Sequence, residues 1–155
     1  MLLVDARSLL FASILFACRA PASELPENEV LRFGVGHMGG FTGFVVQADG
    51  TAEYTEAGGR NGSVKVRGRV TPDELAKLEA TLRANDFCSL VSHRATGVPD
   101  EARPSTSVRL GQLDCAVQMW DGEFRDDAQA KAALAAVEGL ARVVRERGDA
   151  DPVEK

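Results

Sequence analysis

The side chains best suited to catalysis or metal binding in this 155-residue chain are two histidines and three cysteines. A zinc site needs ligands paired at short spacings; the interval from Cys88 to His93 matches no such pair, and His37 lies far away in sequence. Ser89 and Ser92 flank His93, but neighbours in sequence seldom form a nucleophile and its base. The sequence therefore predicts a protein that is not an enzyme and that uses no metal or cofactor.

A glycine-rich segment is the strongest candidate for a partner-binding surface, and it consists of Gly39, Gly40, Phe41, Thr42 and Gly43. Residues 34–39 match the dinucleotide pattern GxGxxG, but a further strand is predicted after them where that motif requires a helix. The segment presents one aromatic side chain on a backbone with little side-chain cover. The alternative is an ordinary strand connection in which Phe41 is buried in the core.

The single tryptophan, Trp120, is a second candidate for partner binding. The predicted strand places it on the same face as Asp114 and Gln118, and a lone aromatic side chain on a polar face is typical of a docking anchor. The alternative is that Trp120 packs beneath the final helix.

The charge pattern argues against nucleic acid as a partner. The formal net charge is -5, and the only cationic stripe, Lys65, Arg67 and Arg69, alternates along one predicted strand. Such a stripe favours a solvated strand face, where lysine and arginine discourage edge association, over a site for an anionic partner. We therefore expect a protein partner.

The first 18 residues indicate export. Residues 8–17 form an apolar run that is too short to span a bilayer but typical of a signal peptide. Cys18 follows directly, as in the bacterial lipobox, where the cysteine is acylated and becomes the new N-terminus. Cleavage after Ala22 and an uncleaved buried helix are the alternatives. The lipoprotein interpretation predicts a lipid-anchored protein of the bacterial cell envelope, on the outer membrane or the periplasmic face, with residues 19–29 as a tether.

The other two cysteines, Cys88 and Cys115, form an even pair once Cys18 carries lipid. Outside the cytoplasm such a pair is usually oxidised, and closing the loop between them contributes roughly 3.5 kcal/mol in the chain-entropy model. Two separate buried thiols are the alternative, because the sequence does not supply the distance between their Cα atoms.

The remaining pattern predicts one α+β domain over residues 30–148, followed by a polar tail at 149–155. Alternating apolar residues and turn signals predict strands at 30–35, 42–48, 51–55, 63–70, 107–110 and 113–120. Helices are predicted from the Thr71-Pro72-Asp73-Glu74 capping box to Asn85 and over 127–147, where Gly148 is expected as the cap. The order ββββ-α-ββ-α favours an antiparallel sheet of about six strands with two helices on one face.

Three short motifs resemble those of emfourins, which are small proteinaceous inhibitors of thermolysin-like metallopeptidases. They are Gly40-Phe41-Thr42-Gly43, the helix start Thr71 to Leu75, and Asn85-Asp86-Phe87. The hairpin from Asp49 to Tyr54 is similar to hairpins of uncharacterised bacterial lipoprotein domains. The resemblance covers residues 31–144 in the order of elements, and the chain differs from emfourins in its extra hairpin and its lipobox-like signal.

The resemblance implies a non-catalytic inhibitor of a secreted metallopeptidase. Phe41 would enter an apolar specificity pocket beside the peptidase zinc, and a rigid loop would suffice for this. The alternative is a structural or interaction lipoprotein of the envelope that binds an unknown partner, with Trp120 as its anchor.

Overall fold

Seven strands and three α-helices make up the computed structural model, which describes residues 20–58, 62–96 and 100–150. The strands are β1 (Glu29–His37), β2 (Gly40–Gln47), β3 (Thr51–Gly58), β4 (Ser63–Arg69), β5 (Ser105–Leu110), β6 (Leu113–Gln118) and β7 (Asp149–Ala150). The helices are α1 (Pro72–Ala84), α2 (Asp121–Asp126) and α3 (Ala128–Arg147), with a 3₁₀ turn at Phe87–Ser89. The α+β class predicted from the sequence is confirmed.

One antiparallel sheet contains all seven strands in the order β6-β5-β1-β2-β3-β4-β7. Alternate residues of each strand point to the helices or away from them, because side chains in a strand alternate between the two faces. The inward set is buried and includes Leu31, Phe33, Phe44, Val46, Tyr54, Val66, Val108 and Val117. We call the outward side, which none of the helices in the described residues covers, the open face.

Both long helices bury the stripes predicted from the sequence. Helix α1 begins at the predicted capping box, in which Thr71 Oγ1 accepts from the Glu74 N–H and the Glu74 carboxylate accepts from the Thr71 N–H. Leu78 and Leu82 are its buried residues. Helix α3 buries a longer stripe, which includes Ala130, Leu134, Val137, Ala141 and Val144. None of the helices in the described residues is long and apolar enough to cross a membrane.

The prediction of two helices missed α2. The alternating pattern predicts a last strand that runs to residue 120, but β6 ends at Gln118 and a six-residue helix begins at Asp121. The Glu123 carboxylate accepts from the Trp120 N–H at 3.0 Å, which satisfies a backbone donor at the start of this helix. Polar side-chain capping thus starts a helix that the apolar pattern does not indicate.

Gly148 follows α3 as expected, but it does not adopt the left-handed conformation of a glycine cap. Its φ is -78°, and the chain continues directly into β7. A Cβ atom at this position would collide with the backbone oxygen of Arg67 and lie 2.6 Å from Cγ1 of Val66. Glycine is needed here because α3 ends directly against β4.

The described part of the predicted tether packs on the domain. The Ala116 N–H donates to the Pro21 oxygen at 2.8 Å, so this segment lies against the outer edge of β6. Leu25 is buried, and the Arg109 guanidinium donates to the carbonyl oxygens of Leu25 and Pro26. Backbone pairing and one apolar anchor therefore hold residues 20–28 against the sheet. Cys18 and the signal segment lie outside the described residues.

Candidate binding surface

The β1–β2 hairpin carries the most exposed apolar side chains of the described residues. His37 pairs with Gly40, so Met38 and Gly39 form a two-residue turn in which Gly39 adopts a φ of 89°. Met38 is 77% exposed at the tip and Phe41 is 45% exposed on the open face. Among the described residues, these two are the large hydrophobic side chains that are exposed to solvent.

The strand predicted at 42–48 begins two residues earlier than expected, so the loop interpretation of the glycine-rich segment is wrong for Gly40 and Phe41. Gly40, Phe41, Thr42 and Gly43 belong to β2, where they pair with β1 on one side and β3 on the other. Ladder hydrogen bonds from two neighbouring strands outweigh the weak strand propensity of glycine. The candidate residues are therefore part of the sheet itself.

Phe41 lies flat over two glycines of the open face. A Cβ atom on Gly43 would lie 2.6 Å from Cε1 of the Phe41 ring, and one on Gly34 would lie 3.2 Å from its Cε2. The ring thus occupies space that ordinary side chains would fill. Phe41 is neither buried in the core nor extended on a loop; its ring lies over the glycines on the sheet surface.

A groove of about 500 Å³ lies on the open face around this ring. Glycines 34, 36 and 43 contribute to its floor, and Arg32, Val45, Glu53 and Arg103 are among its lining residues. Arg32 forms an ion pair with Glu29 at 2.5 Å. The groove thus combines a backbone floor with one aromatic ring and charged walls, a combination that suits an extended segment of a protein partner.

The cationic stripe of β4 forms contacts within the open face. Lys65 and Arg67 form ion pairs with Glu53 at 2.8 and 3.4 Å, and Arg69 donates to the Asp49 carbonyl oxygen at 2.7 Å. Burial raises the pKa of Glu53, but the hydrogen bonds and charges of Lys65 and Arg67 outweigh this and lower the pKa below its usual range. Glu53 is thus ionised at neutral pH and offsets part of the stripe's positive charge.

Trp120 lies beyond the end of β6, as the residue before α2, and not on the polar face of a strand. Its side chain is half-buried, its Nε1–H donates to the Arg94 oxygen at 3.3 Å, and the Arg103 guanidinium lies 5.1 Å from the ring centroid. Trp120 therefore contacts the loop before β5, and part of its surface is accessible to a partner.

Glu123 is a structural residue that the sequence interpretation missed. Its carboxylate accepts from the Ser92 hydroxyl and from the backbone N–H groups of His93, Arg94 and Trp120, at 2.7 to 3.1 Å. Burial raises the pKa of Glu123, but these four hydrogen bonds together lower it below its usual range. The signal was present in the sequence, because a glutamate three residues after the N-cap position is typical of a helix start.

The residues considered for catalysis or metal binding do not form one cluster. His37 is exposed beside the β1–β2 turn, and His93 is exposed in the loop that Glu123 holds. Cys88 and Cys115 are joined by a disulfide, with their Cα atoms 5.6 Å apart. Within the described residues, no group of three or more histidine, cysteine or carboxylate side chains could hold a metal ion.

No family model matches the chain, and no curated protein matches it at a significant level.

Proposed function

We propose that this protein is a non-catalytic lipoprotein of the bacterial cell envelope that binds a protein partner through its open face. The observation that carries this proposal is the half-exposed ring of Phe41, which lies over Gly34 and Gly43 in a groove on the open face. An aromatic side chain has few rotatable bonds, so it loses little conformational freedom on binding. Accessible aromatic side chains are typical anchors of protein–protein interfaces.

The specific form of this proposal is a proteinaceous inhibitor of thermolysin-like metallopeptidases, which the resemblance to emfourins supports. The open face of the β1–β2 hairpin would lie against the peptidase cleft, with Phe41 in an apolar specificity pocket. No inhibitor residue needs to react. Strand β3 pairs with the part of the hairpin that carries Phe41, and this pairing supports a rigid contact.

The test is a titration of residues 19–155, secreted behind an ordinary cleavable signal, into a thermolysin-like peptidase that cleaves a small peptide. Every described core residue lies at or after Ala20, so this chain retains the core. We expect stoichiometric loss of peptidase activity. Phe41→Ala should weaken the inhibition, whereas Gln112→Ala, at an exposed turn on the opposite end of the sheet, should leave it unchanged.

Two results would contradict parts of this proposal separately. Inhibition that survives Phe41→Ala would exclude Phe41 as the anchor while keeping the inhibitor function. No inhibition at micromolar protein would exclude the inhibitor function and leave an envelope interaction protein whose partner is of another class.

A further inference from the structure

Three features of the molecule lie at the same end of the sheet. The strand registers align Gly34 with Ser105 and Ser105 with Gln118. Beyond this line lie the β1–β2 turn at Met38, the start of β5 after Arg103, and Trp120 after β6. Neighbouring strands are about 4.8 Å apart, so the turn and Trp120 are separated by roughly 10–15 Å across this end.

The N-terminal segment leads to the same end. Pro21 accepts from Ala116 and the Ser23 N–H donates to the Asp114 carboxylate at 2.9 Å, so residues 21–23 run antiparallel to β6. Followed backwards, the chain passes Ala20, whose N–H donates to the Cys88 oxygen, and heads towards the Trp120 end. Ala20 is two residues from Cys18, and two residues of chain span at most about 7 Å.

The side chains at this end suit a lipid surface. Met38 is 77% exposed at the hairpin tip, and Trp120 pairs its half-buried ring with the exposed cation of Arg103. Tryptophan rings are enriched at the level of lipid headgroups, and arginine side chains extend along apolar surface to reach anionic groups. Three of the nearby acids are engaged within the fold: Glu101 pairs with Arg94, Asp121 pairs with Arg125, and Glu123 accepts four hydrogen bonds.

We propose that this end of the sheet, with Met38, Arg103 and Trp120, lies on the bilayer to which Cys18 is anchored. This inference rests on the lipid anchor of the proposed function. The strands then stand upright on the membrane, so the open face points sideways and a partner can reach the groove around Phe41. The predicted tether acts as a short fixed link, because the described residues 20–28 pack against the domain.

The experiment uses the mature lipidated protein reconstituted in vesicles of phosphatidylethanolamine and phosphatidylglycerol. Trp120 is the only tryptophan, so its fluorescence reports this end of the sheet directly. We expect lipids brominated near the headgroup end of their acyl chains to quench Trp120, and Arg103→Glu to reduce that quenching. An environment-sensitive dye on Met38→Cys should shift its emission to the blue on vesicles. The same dye on Gln112→Cys, at the opposite end, should not shift.

Mass spectrometry of the N-terminal peptide separates failure of the anchor from failure of the orientation. If Cys18 is not acylated, the lipid anchor and this inference are both wrong. If Cys18 is acylated but Trp120 is not quenched and the Met38 dye emits as in solution, the anchor stands and the inference is wrong. Equal blue shifts at Met38 and Gln112 would also overturn it, because the domain would then have no preferred end on the membrane.

Discussion

The β1–β2 and β5–β6 hairpins both close with two-residue turns, yet the rest of the fold treats them differently. In β5–β6, the disulfide joins Cys115 to the 3₁₀ turn, and Pro21 pairs with the outer strand. In β1–β2, residues 36–39 at the tip are exposed and the open face has glycines in place of larger side chains. Local turn signals therefore do not decide how firmly a hairpin is held. Covalent and tertiary contacts make the β5–β6 hairpin a scaffold and leave the tip of the β1–β2 hairpin exposed.

Removing the disulfide of the β5–β6 hairpin should have the largest effect on the free energy of unfolding. Cys88→Ala with Cys115→Ala removes a crosslink between residues 27 apart in sequence, and we expect the free energy of unfolding to fall by about 3.5 kcal/mol. Guanidinium unfolding of the two proteins measures this. Hydrogen exchange should quicken in β5 and β6 before β1 and β2. A loss below about 1 kcal/mol would show that packing alone holds this hairpin.

Gly58→Ala should test how β3 supports the β1–β2 hairpin. Gly58 adopts a φ of 117°, and a Cβ atom there would collide with the backbone oxygen of Gly39 in the β1–β2 turn. We expect a loss of about 2 kcal/mol in unfolding free energy, together with faster amide exchange at the turn. Gly36→Ala is the matched control, because a Cβ atom there meets nothing within 4 Å. Equal effects of the two substitutions would contradict the close approach of β3 to the turn.

Glu123→Gln should have the smallest effect and a distinctive pH dependence. Because folding lowers the pKa of Glu123, its ionised form contributes stability at neutral pH, and that contribution is lost as the pH falls below about 4. We expect Glu123→Gln to lower the unfolding free energy by about 1 kcal/mol at pH 7 and by progressively less in acid. Asp126→Asn removes the same charge from the same helix as a control. A pH-independent difference for Glu123→Gln would show that its charge plays no part.

The sequence predicted the parts of the fold whose signals are local. The apolar stripes of α1 and α3, the Thr71 capping box and the alternating strands follow from periodicity and capping chemistry, and the structure contains them. Helix α2 was missed because its local start signal is Glu123 alone, without a serine or threonine at the N-cap position, and three of the four donors to that carboxylate lie about 30 residues away. Long-range hydrogen bonds of this kind leave almost no periodic trace in a sequence.

The sequence pointed to the residues of the candidate site, but it did not predict how they are arranged. Phe41 and its glycines stood out by composition, and locally such glycines indicate a loop. They form a strand because β1 and β3 pair on both sides and because the Phe41 ring covers Gly34 and Gly43. The ring and the glycines meet only when the sheet forms, so the sequence alone could not separate a loop from a covered strand.

The segment over residues 20–28, which runs beside β6, also protects the folded protein from aggregation. Unpaired strand edges are templates for aggregation. The carbonyl oxygen of Pro21 accepts a hydrogen bond from the Ala116 N–H of β6, which would otherwise face solvent. Ser23 and the buried Leu25 continue this cover towards β1. A chain shortened to begin at Glu29 would keep all seven strands but would expose the edge of β6. We therefore expect its solubility to fall while the sheet stays folded.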